Sequence, residues 1–304
     1  MLEEDEAVRS LKDTLLDELA RALALPRAGG ARQVVRLLFA RAAGRFAQLG
    51  VDLDRVVAEQ GTAAGARWAL PHFARAWEAR GAPNIPAEGP LVIASNHPGS
   101  FDSLVITAHI SRPDYKVIIG DIPFFEKLPH LSEHAIYAPG KQDVQGRMQV
   151  IRRGIRHLAS GGALLIFARG GIEPDPAFMP APGAEFNLWS RSLQIFLDRV
   201  PQTRVLVTIV SGVLSRAAMR HPITWLRTNR PDRQRLAFMV QMAQQVLTGR
   251  EKYGLVPRVS FGPLIGPSTG DEAHHSLQCI TDSARSLLQS HLLWQQENRH
   301  APLP

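Results

Sequence analysis

The sequence predicts an α/β fold: a largely parallel sheet flanked by helices, preceded by a smaller all-helical N-terminal domain. Three observations carry that expectation. Over about the first eighty residues, apolar positions recur at three- and four-residue steps, the period of amphipathic helices. Further on, short apolar runs of strand length alternate with helix-like segments, the rhythm of a parallel sheet with helical crossovers. Between the two regimes lies Gly81-Ala82-Pro83-Asn84-Ile85-Pro86, with Gly89-Pro90 just after it, a composition that reads as a linker. The expected domains are therefore 1–83, helical, and 84–304, α/β with a closing C-terminal helix.

The first helix is expected from Glu3 to Leu25, where Leu11, Leu15, Leu16, Leu19 and Leu23 form one stripe; Pro26 and Gly29-Gly30 stop it. Ala31 to Leu49 repeats the pattern with Val34, Leu37, Leu38, Arg41 and Phe46, and four arginines occupy its polar face. A third helix covers about Ala64 to Arg80. Strands are expected at Leu91–Ser95, Lys116–Gly120, Ala135–Ala138, Ala163–Ala168, Arg204–Ser211 and Arg258–Phe261. Helices are expected at Ser103–Ile110, Val144–Ala159, Leu188–Val200 and Arg233–Leu247, with Asp271–Gln296 closing the chain. In such sheets ligands lie beyond the carboxyl ends of the strands, so chemistry is sought in those loops.

Composition narrows the function classes. With 304 residues, 45% hydrophobic and 21% charged, the chain can bury a sizeable core, which excludes wholesale disorder. A single cysteine, Cys279, excludes an internal disulfide and a cysteine-cluster zinc site. The 35 basic residues against 28 acidic ones leave a net charge of +7, and 30 of the basic residues are arginine, whose fork suits phosphate. That balance asks for an anionic partner: nucleic acid, an anionic membrane surface or a phosphorylated substrate. Nucleic acid is disfavoured, because only 7% of residues are aromatic, the arginines are scattered and no recognition module is present. No run reaches the ~18 apolar residues of a membrane-spanning helix. The acidic start Met-Leu-Glu-Glu-Asp-Glu opposes a secretory leader. The expected location is cytoplasmic, peripheral on the inner face of a membrane, with no resident cofactor or metal.

The strand Leu91–Ser95 runs into Asn96-His97-Pro98-Gly99-Ser100-Phe101-Asp102. This spacing places His97 at a strand end and Asp102 in the first turn of the next helix. A carboxylate there can fix the imidazole tautomer and stabilise its charged form, as a general base acting on a hydroxyl requires. The free N–H groups of that helix start are candidates for an oxyanion. The plainer role is a helix-start histidine with Asp102 as a capping acid. The same spacing recurs at His109 to Asp114, but at a helix end and in the turn after it, where a histidine has an ordinary favourable place.

Ser95-Asn96-His97-Pro98-Gly99-Ser100-Phe101-Asp102 resembles the Asn-His-x4-Asp motif of the glycerolipid acyltransferases, the lysophosphatidic acid and glycerol-3-phosphate acyltransferase superfamily. Three further blocks follow in that family's order. Asp121-Ile122-Pro123-Phe124 through Pro129, ending at Ala138-Pro139-Gly140-Lys141, resembles the second, in which a basic residue contacts substrate phosphate. Ile166-Phe167-Ala168-Arg169-Gly170-Gly171 resembles the third, commonly Phe-Pro-Glu-Gly-Thr-Arg, and Val205 to Val210 resembles the fourth. The resemblance covers about residues 85 to 215. It implies His97 and Asp102 as catalytic residues, and Lys141, Arg169, Gly170, Gly171 and Glu173 as substrate-binding ones. It further implies an acyl thioester donor (acyl-CoA or acyl-ACP) and, as acceptor, glycerol-3-phosphate or a lysophospholipid such as 1-acylglycerol-3-phosphate.

The third block departs from the pattern, with Arg169 in place of glutamate and Ile172 in place of arginine. Either Arg169 supplies the charge from a shifted position, or the acceptor is not a plain glycerophosphate. Gly170-Gly171-Ile172-Glu173-Pro174-Asp175-Pro176 also looks like the Gly-Gly-Arg-Asp-containing loop of the soluble plastid-type glycerol-3-phosphate acyltransferases, which likewise carry a helical N-terminal domain. A thioesterase, with water as acceptor, and a non-catalytic lipid-binding protein are the rival readings.

Overall fold

The computed structural model describes residues 2–22, 30–99, 101–140, 142–267 and 277–298. Helices α1 (Leu2–Ala22), α2 (Gly30–Gln60) and α3 (Thr62–Ala69) come first, then the short strand β1 (Glu78–Arg80). There follow β2 (Leu91–Ser95), α4 (Asp102–Thr107), β3 (Tyr115–Gly120), α5 (Pro123–Glu126), α6 (Pro129–Glu133) and β4 (Ala135–Ala138). Next come α7 (Val144–Ala159), β5 (Ala163–Phe167), α8 (Ser192–Arg199), β6 (Arg204–Ser211) and α9 (Arg216–Met219). The chain closes with α10 (Arg230–Thr248), β7 (Arg258–Ile265) and α11 (Leu277–Glu297).

The seven strands form one sheet in the order β1-β7-β6-β2-β5-β3-β4. All neighbours pair in parallel except β6 with β7. The α/β expectation is therefore met, with one antiparallel seam. All five residues of β2 are buried, as the centre of a sheet covered on both faces requires. On one face Phe73, Phe101, Val105 and Phe238 pack; on the other, Leu158, Leu193, Phe196 and Ile280. Ser95 of β2 stands level with Phe167 of β5 and Thr208 of β6, so the loops after these three central strands emerge side by side.

Three expectations in the N-terminal third are corrected. The helix expected over Ala64–Arg80 ends at Ala69, because Pro71 follows, and Glu78–Arg80 pairs with β7. The stretch read as all-helical thus contributes an edge strand. The helix expected to stop at Leu49 runs to Gln60 instead; Gly50 stays helical where the Phe124 ring packs so close that an added Cβ would lie 2.6 Å from it. The stripe of α2 is divided: Phe46 packs on the Phe124 ring with centroids 5.2 Å apart, but the first half of the stripe is turned outward. Val34, Leu37 and Leu38 are exposed, and the helix buries Ala42, Ala43 and Ala47. Two acids tie these helices to the rest: Glu18 accepts from the N–H of Phe124 at 3.2 Å, and Asp54 from the N–H of Leu131 at 2.8 Å. Both bonds satisfy donors at the starts of α5 and α6 that have no partner within the helix.

Candidate active site

His97 leaves the sheet on a segment held at several points. Asn96, buried just after β2, donates to the carbonyl of Val210 at 2.9 Å and accepts from its N–H at 2.8 Å, extending the pairing with β6 by side chain. The N–H of Glu173 donates to the carbonyl of His97 at 2.8 Å. Gln234, buried on α10, donates to the carbonyls of Pro98 at 2.6 Å and Glu173 at 2.8 Å, bridging the two loops. Gly99 is required by space: a Cβ there would lie 1.5 Å from the Phe238 ring.

Asp102 opens α4 and is 1% exposed, whereas the imidazole of His97 is 25% exposed. The His97 Nδ1–H donates to Asp102 Oδ2 at 2.8 Å. Because an ionised carboxylate only accepts, that contact fixes the proton on Nδ1 and leaves Nε2 as the basic nitrogen. The Phe167 ring lies against the imidazole, with centroids 4.2 Å apart and the planes tilted by 31°. The N–H groups of Gly99 and Ser103 bond to the Asp102 carboxylate, at 3.0 and 2.8 Å. Those two donors orient Asp102, and Leu104 and Val105 donate to the carbonyl of Phe101, so these N–H groups are already engaged.

The second His-x4-Asp pair is not a pair. Asp114 is bound by the buried Arg112 at 2.6 Å, which also donates to the carbonyls of Gly89 and Gly161. His109 turns its ring edge to Phe261, and burial with nearby Arg67 pushes its pKa down.

The loop after β5 gathers the remaining candidates except Lys141, which lies outside the described residues. Gly170 turns the chain at φ 66°, a conformation that favours glycine, and Gly171 follows against the Arg169 guanidinium. Arg169 donates to the carbonyl of Ile172 at 3.0 Å and its Nε lies 2.8 Å from Glu185 Oε2. Ile172 therefore anchors a guanidinium through its backbone carbonyl. Glu173 is 2% exposed, and its Oε1 makes no hydrogen bond of good geometry among the described residues, although the Trp189 side chain lies near enough to oppose the rise in its pKa. Burial, reinforced by Glu185, pushes its pKa up to about 8, so it carries a proton at neutral pH.

Three groups brought here by the fold were not anticipated. Arg230, in the first turn of α10, donates to Glu185 at 2.6 Å, to the carbonyl of Ile172 at 3.0 Å and to Gln234 at 2.7 Å. Glu185 thus accepts a hydrogen bond from Arg230 and pairs with Arg169 by charge alone. Asp175, fully buried, accepts four backbone N–H groups, from Ala177 and Gly212 on Oδ1 and from Val213 and Leu214 on Oδ2, at 2.8–3.2 Å. Burial pushes its pKa up to about 6 against the opposing pull of those donors. It locks the β5 loop to the turn after β6. The Glu-Pro-Asp-Pro run is the one sequence signal that pointed near it.

No family model matches the chain, and no curated protein resembles it in sequence. Among solved structures, the chain is similar to the 1-acyl-sn-glycerophosphate (LPA) acyltransferase PlsC from Thermotoga maritima, with a TM-score of 0.46 and 12% identity over 90% of this chain and 86% of that one.

Proposed function

We propose that this protein is an O-acyltransferase that moves a fatty acyl group from an acyl thioester to a hydroxyl of glycerol-3-phosphate or a lysophospholipid such as 1-acylglycerol-3-phosphate. The observation that carries the reading is the His97–Asp102 contact, a partly exposed imidazole oriented by a buried carboxylate at the carboxyl end of the central strand. His97 Nε2 takes the proton of the acceptor hydroxyl as its oxygen attacks the thioester carbonyl. The C–S bond then breaks, and the imidazolium returns the proton to the departing thiolate. Asp102 stabilises the intervening cation. No acyl-enzyme is needed, and Cys279 lies on α11, within the helix that closes the chain.

The donor is acyl-CoA or acyl-ACP. An anionic membrane surface is the partner that the outward stripe of α2 fits: Val34, Leu37 and Leu38 are exposed, and Arg41 and Arg45 continue the same face. No helix of the described residues is long and apolar enough to cross a membrane.

The test is transfer from labelled acyl thioesters to a panel of acceptors, read by mass spectrometry, with His97→Ala alongside. General-base loss costs about 10²–10⁴-fold. Undiminished turnover in a folded His97→Ala protein, or free acid released at one rate with and without acceptor, refutes the reading.

A further inference from the structure

We propose that Arg169 and Arg230 form a two-guanidinium cradle for the phosphate of the acceptor, and that Glu185 is an internal carboxylate which the incoming phosphate replaces. The inference deepens the acyltransferase reading and rests on it for the identity of the phosphate.

Four observations converge. First, the Glu185 carboxylate lies between two guanidinium groups. Its Oε1 accepts from Arg230 Nη2 at 2.6 Å, while its Oε2 lies 2.8 Å from Arg169 Nε in an ion pair without hydrogen-bond alignment, so that Oε2 and Nε each keep an unused hydrogen-bonding position among the described residues. The spacing that receives a carboxylate between two arginines also receives a tetrahedral anion, for which guanidinium forks are suited. Second, both arginines are fixed without Glu185. The carbonyl of Ile172 accepts from each of them at 3.0 Å, and Arg230 also donates to Gln234. If Glu185 swings away, the cradle stays in place.

Third, the charge is unbalanced. Two arginines face the Glu185 carboxyl, and Glu173 beside them adds no counter-charge, since it is buried and protonated at neutral pH. The excess positive charge is partly shielded from water, since Arg169, Arg230 and Glu185 are 22%, 27% and 20% exposed. Such a group gains by taking up an anion. Fourth, the cradle sits next to the proposed base. The residue after Ile172 donates its N–H to the carbonyl of His97, and the ring of Phe167, two residues before Arg169, lies tilted against the imidazole. An acceptor with its hydroxyl at His97 and a phosphate a few bonds away would span the two.

Inorganic phosphate is the probe, titrated into the full chain at constant ionic strength with chloride, with affinity read by calorimetry and thermal shift. Arg230→Gln should weaken binding by about 10–100-fold, the loss of one charge-assisted contact. Arg230→Lys, which keeps the charge but not the fork, should recover part of it. Glu185→Gln should bind phosphate several-fold tighter than the natural protein, because the internal competitor has lost its charge. A purely structural ion cluster gives the opposite sign for Glu185→Gln, or lowers thermal stability in all three variants with phosphate affinity unmoved; either result overturns the proposal, as does a natural protein that ignores phosphate up to tens of millimolar. A second arm compares transfer to lysophosphatidate and to a phosphate-free lysolipid. Arg230→Lys should lower the preference for lysophosphatidate at least about tenfold, whereas equal losses on both acceptors overturn the cradle. That last result leaves acyl transfer standing, and transfer to neither acceptor by the natural protein sinks the acyltransferase reading itself.

Discussion

Glu173 gives the prediction that depends least on knowing the substrate. Its carboxyl is buried and keeps its proton to about pH 8, whereas in the unfolded chain it ionises near 4.5. A carboxyl whose folded pKa is raised contributes stability that is complete below the unfolded pKa and is lost as pH rises to the folded one. Each pH unit inside that window costs about 1.4 kcal/mol. Between pH 5.5 and pH 8.5 the natural protein should therefore lose about 3 kcal/mol through this group alone. Glu173→Gln keeps the shape and cannot ionise, so it should escape that loss. At about 2 cal/mol/K per residue, a chain of 304 residues has an unfolding entropy near 0.6 kcal/mol/K, and the difference amounts to about 5 °C in Tm. The assay is thermal unfolding of both proteins across pH 5.5 to 8.5, with the difference between them as the readout. His291, which burial drives down to about 3, and Asp175, driven up to about 6, titrate in both proteins and cancel in that difference. Two curves that run parallel across the range refute the argument that Glu173 is buried uncharged.

Asp102→Asn should lower acyl transfer by about 10²–10⁴-fold, mostly in kcat, because the imidazolium loses its buried counter-charge at 2.8 Å; a change below threefold would show that Asp102 only caps α4. Asp175→Asn should cost about 3–5 kcal/mol in denaturant unfolding, since its NH2 must face at least two of the four donors now satisfied by the carboxylate; a cost under about 1 kcal/mol counts against the lock between the β5 and β6 loops. Leu37→Ser with Leu38→Ser should reduce sedimentation with vesicles containing anionic lipid by about tenfold or more while leaving Tm nearly unchanged, given their 76% and 70% exposure; equal binding assigns the membrane contact elsewhere.

How much was legible in the chain follows the range of the forces involved. Strands β2, β4 and β6 and helix α7 fall where apolar runs and turn residues place them, because those signals are local; Asp143, for example, caps the N–H of Gly146 at the start of α7. Strand β1 was missed because three residues at a sheet edge carry no alternation, and their pairing with β7 lies far along the chain. The outward turn of α2 was equally unreadable, since periodicity marks a stripe without saying which face packs. At the site, His97, Asp102 and Glu173 could be found because a strand end and two adjacent loops define them. Arg230, Glu185 and Gln234 could not, because nothing short of the packed fold brings α10 and the loop before α8 to the carbonyl of Ile172.

The bonds from Glu18 and Asp54 to the starts of α5 and α6 bear on how this protein can be handled. An engineer who trims the chain at the Gly81–Pro90 stretch, to obtain a minimal catalytic fragment, removes both acceptors together with the side chains that cover Phe124 and Leu128. Such a fragment would expose a new greasy surface and two unsatisfied amides beside the second motif block, and it would also lack an edge strand. Fusion partners and affinity tags are better attached ahead of α1, and activity lost on truncation should not be credited to a substrate-binding role for the leading helices.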